Sequence, residues 1–212
     1  MEITWFGISC FRLKGREGVV LMDPPEKASG LSIGKQQNID LVTISHAHPG
    51  HGNREAAPGA TILDSPGEFE VSSILVGGIR TCHDNKRGEE RGKNVAFTVE
   101  LEGIRVCHLG DIGHIPTADE VEELGQIHVL LVPVGGGTTV DGAQAAAIVA
   151  LLEPRAVIPM HYRLQGGRED LAPIDRFLKE MGATNIQPQP KVNYSRSSLP
   201  AEPHVEVLEP RF

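Results

Sequence analysis

Four apolar runs in this chain each end on a histidine or an aspartate. Leu41-Val42-Thr43-Ile44-Ser45 runs into His46, His48 and His51. The run that starts at Ile74 reaches His83, the one from Ile104 reaches Gly110-Asp111, and the one from Ala156 reaches His161. Short apolar runs bounded by Gly and Pro read as buried strands. Aligned strands bring their ends to one edge of a sheet, the common place for a site in α/β proteins. The fold must therefore carry six ligand-type side chains to one edge.

The first run is the richest. His46 and His48 are two apart, so in an extended segment they point to the same side. Pro49-Gly50 forces a turn, which can swing His51 towards the same point. Converging imidazoles at a strand end are what a divalent transition metal needs. One histidine here would be an ordinary surface or core residue. Three within six positions point to a metal.

The rest of the chain fills in around these ends. The N-terminal third reads as a β-meander, with strands at 3–6, 10–13 and 19–22 separated by glycines, and Asp23-Pro24-Pro25 ends the third. One helical turn is expected at 54–57, and strands at 61–63, 68–71 and 74–79. Residues 84–93 are charged and lack apolar periodicity, which predicts an exposed, mobile loop on the rim of the site. Strands are expected at 94–101, 104–108, 128–133 and 156–162, and a short helix at 118–124. Gly135-Gly136-Gly137 is no phosphate-binding P-loop, because no Lys-Ser/Thr follows it. Asp141 is expected to cap a helix at 144–152, and a second, amphipathic helix is expected at 169–181. Residues 188–200 read as a connection, and 205–208 as a closing edge strand.

The chain has 212 residues, which suits a single domain. Its net charge of -8 argues against a nucleic-acid-coating role. The three cysteines, Cys10, Cys82 and Cys107, form no CxxC pair, so a reducing cytoplasm is expected rather than a disulfide framework. No signal peptide and no membrane-spanning apolar run is visible, so neither secretion nor a membrane partner is expected.

The order strand-Asp23, His46-x-His48-x-Gly50-His51, His83, Gly110-Asp111 and Pro159-Met160-His161-Tyr162 resembles the metallo-β-lactamase superfamily. Within it, the chain is similar to the small cytoplasmic metal-dependent hydrolases related to ascorbate-6-phosphate lactonase. The resemblance implies a four-layer αββα sandwich: two facing sheets with helices outside, in one domain over 1–212. It implies that His46, His48 and His83 hold one metal, His51 and His161 a second, and that Asp111 bridges them. Asp23 would support the histidine loop from behind. The cofactor would be one or two zinc ions per chain, with manganese or iron as alternatives.

The implied activity is hydrolysis of an ester, lactone, amide or phosphodiester by a metal-bound hydroxide, which Asp111 positions, on a small-molecule substrate that could be anionic. The sequence departs from the family pattern at Gly50, where the motif has an aspartate. Two readings therefore stand side by side: a hydrolase, or an attenuated or non-catalytic member that binds a metal or ligand.

Overall fold

The computed structural model describes residues 1–164, 169–183 and 185–211. Its first sheet has the order β12-β1-β2-β3-β4-β5. The strands are β1 (Glu2–Trp5), β2 (Phe11–Lys14), β3 (Val19–Met22), β4 (Leu41–Thr43), β5 (Thr61–Leu63) and β12 (Val192–Asn193). β1, β2 and β3 form an antiparallel meander, whereas β3, β4 and β5 run parallel. The second sheet has the order β13-β11-β10-β9-β8-β7-β6. Its strands are β6 (Gly67–Val71), β7 (Ile74–Cys82), β8 (Lys93–Leu101), β9 (Ile104–His108), β10 (Val129–Pro133), β11 (Ala156–Met160) and β13 (His204–Val205).

Alternation along the strands decides which face goes where. In β1 and β2, Ile3, Trp5, Phe11 and Leu13 point between the sheets and are fully buried. They meet Ile74, Val76, Phe97 and Val99 from the second sheet. Burying each such side chain contributes about 1.5–3 kcal/mol. β3 and β4 are apolar on both faces. Val20, Met22 and Leu41 join the central core, while Leu21, Val42 and Ile44 belong to a separate cluster with Phe6, Ile39, Ala56 and Ala57. That second cluster is covered by irregular segments before and after β4, through Ile33, Ile39, Ala56, Ala57 and Ala60, so the outer layer on this side is loop.

The opposite face of the sandwich carries the helices α1 (Ala118–Leu124), α2 (Gly142–Leu152) and α3 (Asp175–Glu180). Thr117 and Asp141 cap α1 and α2 with complete capping boxes, each worth about 1 kcal/mol. Two facing sheets in one domain, with few helices, are what the resemblance implies, although here the helices lie on one outer face and loop covers the other.

Several local expectations are corrected. Residues 54–57 form turns rather than a helical turn, because Asn53 accepts the amide of Glu55 through its side chain (3.1 Å) and that of Ala56 through its carbonyl (3.3 Å). The helix expected over 169–181 is confined to Asp175–Glu180. Pro173 cannot donate and pushes residue 172 out of helical space, and the Ala172 amide bonds Gly135 instead (2.8 Å). Helix α2 begins at Gly142, two residues before the expected start. The segment 188–200 holds the edge strand β12, and the closing strand is His204–Val205 rather than 205–208.

Candidate metal centre

The strand ends converge as their order requires. β9, β10 and β11 are parallel, and β7 shares their direction because two antiparallel pairings separate it from β9. β4 comes from the facing sheet, and its extension at Ser45 accepts the Val95 amide of β8 at 2.9 Å, closing the two sheets together. Beyond it, the His48 carbonyl accepts the amides of His51 (2.9 Å) and Gly52 (3.0 Å), the tight turn that Pro49-Gly50 predicts. The ring of His46 lies 4.5 Å from His48, 4.3 Å from His51 and 4.9 Å from His83, centre to centre. His161 approaches His51 at 6.0 Å.

Asp111 sits in the middle. Its Oδ2 is 3.3 Å from His51 Nε2, 3.3 Å from His83 Nε2, 3.4 Å from His161 Nε2 and 3.9 Å from His46 Nε2. All six residues expected from the sequence thus meet at one place. His46, His48 and His83 offer nitrogens within 4.8 Å of one another, and so do the ligand-type atoms of His51, Asp111 and His161. His48 is exposed at the mouth; His51, His83, His161 and Asp111 are buried.

The outer nitrogens are tied down. His46 Nδ1 bonds Ser45 Oγ (2.9 Å), His51 Nδ1 bonds Asp23 Oδ2 (2.8 Å), and His83 Nδ1 bonds the Thr138 carbonyl (3.1 Å). A carbonyl only accepts, so His83 carries a proton on Nδ1. Its neutral form then turns a lone pair at the Asp111 carboxylate, acceptor against acceptor. Protonating every inward nitrogen would bury several cations against one carboxylate, an arrangement that is strongly unfavourable. A divalent cation between these atoms removes the conflict. The buried Nε2 of His46 has no hydrogen-bond partner, which is the same sign. The donor set of imidazole nitrogens and one carboxylate suits zinc chemistry, and the outward bonds give the orientation that metal-bound histidines need.

Without a metal, protons take its place. Burial works against a charge on His51, but Asp111 and Asp23 outweigh it and hold its pKa up at about 10. Burial and the neighbouring charge on His51 push His46 down to about 3. Burial alone would raise Asp111, yet His161 and His51 keep it well below the usual carboxylate range. Metal binding at such a cluster is competition with the His51 proton.

Asp111 is presented by residues whose part the sequence did not reveal. Its amide bonds Asn94 Oδ1 (3.0 Å), and Asn94 also donates to the Leu109 carbonyl (2.9 Å). His108 spans the turn, accepting the Gly110 amide at Nδ1 (3.1 Å), so its Nε2 donates to the Ser9 carbonyl (2.7 Å). The Ser9 hydroxyl reaches Asp111 Oδ1 at 3.4 Å, and the Ile8 carbonyl accepts the His161 amide at 3.0 Å. The short loop between β1 and β2 therefore braces two of the candidate ligands. Only the closeness of His108 to Asp111 in sequence hinted at this. His114, equally close, turns away to the Cys82 amide and Glu120. His128 accepts the Arg105 amide, and His204 is exposed. Asp23 stands where the resemblance puts it, behind the loop, with Oδ1 on the Ser45 amide (2.7 Å) and Oδ2 on the Ser45 hydroxyl (2.5 Å).

The cluster floors a cleft of about 540 Å³ lined also by Ile8, Gly50, Glu90, Arg91 and Thr138. The 84–93 loop borders it, as expected, but the loop is organised rather than loose. The Asp84 carboxylate accepts the amides of Lys86 (2.8 Å), Gly88 (2.8 Å), Glu90 (3.0 Å) and Arg91 (2.8 Å). Burial would raise its pKa, but the amides of Arg91, Gly88, Lys86 and Glu90 bring it down to about 2. Those four amides are expected to exchange slowly in a hydrogen–deuterium experiment, and much faster in Asp84→Ala. Exchange at the rate of a free chain in the unmodified protein would show that the carboxylate does not hold the loop.

Residues 2–161 match the model of the beta-lactamase superfamily domain. The chain belongs to this superfamily. A UPF0173 protein of Pyrococcus furiosus is 30% identical over 88% of this chain and 93% of its own length. A UPF0173 metal-dependent hydrolase of Thermococcus onnurineus is 27% identical over 76% of this chain and 84% of its own. A crystal structure from Thermotoga maritima, a proposed Zn-dependent hydrolase of the metallo-beta-lactamase superfamily, shares 34% identity and a TM-score of 0.82, each chain covered to 99%. As in those relatives' superfamily, the fold is two mixed sheets with few helices. Among the described residues of this superfamily member, no helix is long and apolar enough to cross a membrane.

Proposed function

We propose that this superfamily member is a zinc-dependent hydrolase of a small molecule. One observation carries the reading: inward imidazole nitrogens surround Asp111 Oδ2, while the opposite nitrogens of His46, His51 and His83 are bonded outward. His46, His48 and His83 would hold one ion, and His51, Asp111 and His161 a second. The names of the relatives, metal-dependent hydrolase and Zn-dependent hydrolase, support the same reading. When bound, the metal supplies Lewis acidity, polarising a carbonyl or phosphoryl oxygen and acidifying water. The chain supplies the rest. Asp111 would orient the attacking water, Asp23 and Ser45 fix the ring planes, and Ile8 and Thr138 wall the cleft. The three free cysteines support residence in a reducing compartment.

The test is elemental analysis of the purified protein and of the His46→Ala, His48→Ala double variant. Both are then assayed on chromogenic esters, lactones and bis-aryl phosphates with added zinc, manganese or iron. The unmodified protein is expected to carry metal and turn over part of the panel, and the double variant to lose both. Equal metal in the two would defeat the ligand assignment. Metal without turnover of any substrate would favour a binding role.

Gly50 is where those two outcomes diverge. Its φ is not in the left-handed region that favours glycine. A Cβ there would meet only the Ile8 side chain, at 3.7 Å and 3.9 Å, ordinary van der Waals contact on the cleft wall. The position thus accepts a Cβ without strain. Gly50→Asp is expected to strengthen the binding of the second ion and raise turnover by about 10- to 100-fold, the usual effect of a supporting group. Zinc titration and kinetics of the two proteins side by side decide this. A well-folded variant with unchanged metal affinity and rate would mean that position 50 is not a vacated ligand position.

A further inference from the structure

We propose that Arg91 is the anion-binding arm of the cleft, and that the substrate carries a carboxylate or phosphate apart from the bond that is cleaved. The inference rests on the hydrolase reading and names the substrate class for it. Arg91 lines the cleft together with His48, His51, His83 and Asp111. Its neighbour Glu90 lines the cleft too, but Glu90 is taken by Lys86 at 2.6 Å. Among the described residues Arg91 forms no ion pair. What sets Arg91 apart is its place: it is the one arginine among the described residues lining this cleft.

Its placement is built. The Asp84 carboxylate holds the Arg91 amide itself at 2.8 Å, and the His83 amide bonds the Gly92 carbonyl at 3.1 Å. Gly113 packs so closely against the backbone of His83 and Asp84 that a Cβ there would collide with it. The base of the loop is thus fixed to the strand that delivers a candidate ligand, and the Arg91 backbone is fixed to the base, leaving its exposed side chain to reach into the cleft. A guanidinium presents a planar fork that matches carboxylate and phosphate oxygens two at a time. Ser29 and Thr138 line the same cleft with neutral hydroxyls. An anion is what this rim is made to take.

The experiment compares three chromogenic esters with the same leaving group on the zinc-loaded protein. They are p-nitrophenyl butyrate, which is neutral, mono-p-nitrophenyl glutarate, with a free carboxylate, and p-nitrophenyl phosphonobutyrate, with a phosphonate. The ratio of kcat/KM for an anionic ester to that for the neutral one is the readout. It is expected to exceed one in the unmodified protein and to fall about tenfold in Arg91→Ala, through KM, as losing one charge-assisted bond implies. Arg91→Lys should retain part of it. Glu90→Gln, which removes a negative charge from the same rim, should raise it. Which of the two anionic esters gains tells whether carboxylate or phosphate is the natural group. A ratio that Arg91→Ala leaves unchanged overturns the inference while the hydrolase reading stands. If none of the three esters is cleaved, the hydrolase reading is decided by the lactones and bis-aryl phosphates of the wider panel. Titration of glutarate into metal-loaded protein and into Arg91→Ala then decides the arm: equal affinity overturns it, and about tenfold weaker binding by the variant supports it.

Discussion

Asp111→Asn is expected to strip the protein of metal and of activity, and to destabilise the metal-free fold by about 3 kcal/mol at neutral pH. The carboxylate is the one negative charge among the inward imidazole nitrogens, three of them at 3.3–3.4 Å from Oδ2. An amide cannot neutralise His51, whose pKa is held at about 10 largely by Asp111 against the effect of burial. Metal affinity should fall by at least the about 100-fold that marks loss of an outer supporting group, since this group faces the centre itself. The pH dependence has a definite sign. Asp111 has its folded pKa held below the unfolded value. Its stabilisation is therefore present above about pH 4 and is lost as the pH falls towards the folded pKa. Urea unfolding of metal-stripped wild type and variant should differ at pH 7 and converge in acid. Equal stability of the two at pH 7 would show that Asp111 is not the charge that organises the cluster.

The second large effect is expected at Gly110. Its φ of 57° lies in the left-handed region, and a Cβ there would collide with Asn94 Oδ1 and lie 2.6 Å from Ser45 Cβ. Asn94 is fully buried and Ser45 nearly so, so neither can retreat to solvent. Left-handed backbone strain costs about 1–3 kcal/mol and overpacking about 1–3 kcal/mol. Gly110→Ala should then lose about 4 kcal/mol of stability. The damage is directed, because the atom displaced is the one that holds the Asp111 amide. Denaturant unfolding and metal content should fall together in Gly110→Ala. A variant with wild-type stability would mean that the turn relaxes freely, and the close packing described here would be wrong.

What the sequence disclosed and what it hid differ in kind. Convergence of His46, His48, His51, His83, Asp111 and His161 was legible because each follows an apolar run, and strand ends are a local signal. The cap at Asp141 was legible for the same reason. The supporting residues were not. Ser9 and Ile8 act largely through backbone carbonyls, which every residue type has. Asn94 reads as one more strand residue, and its role depends on the distant Asp111. Asp84 reads as a solvated charge, yet its carboxylate turns back on its own loop. The edge strand β12 is two residues long and exists only by pairing with β1, at the other end of the chain. The shortened α3 is the contrary case: Pro173 is visible in the sequence, and its constraint outweighs the apolar spacing around it.

The candidate ligands come from both halves of the sandwich, His46, His48 and His51 from the sheet of β4 and His83, Asp111 and His161 from the other. A cation held between them would be a cross-link as well as a reagent. It would close a loop of about one hundred residues, for which the chain-entropy account of covalent bridges gives about 4–5 kcal/mol. A growing polypeptide cannot fasten that link until His161 has been made and both sheets have met. Loading with metal would then mark the end of folding.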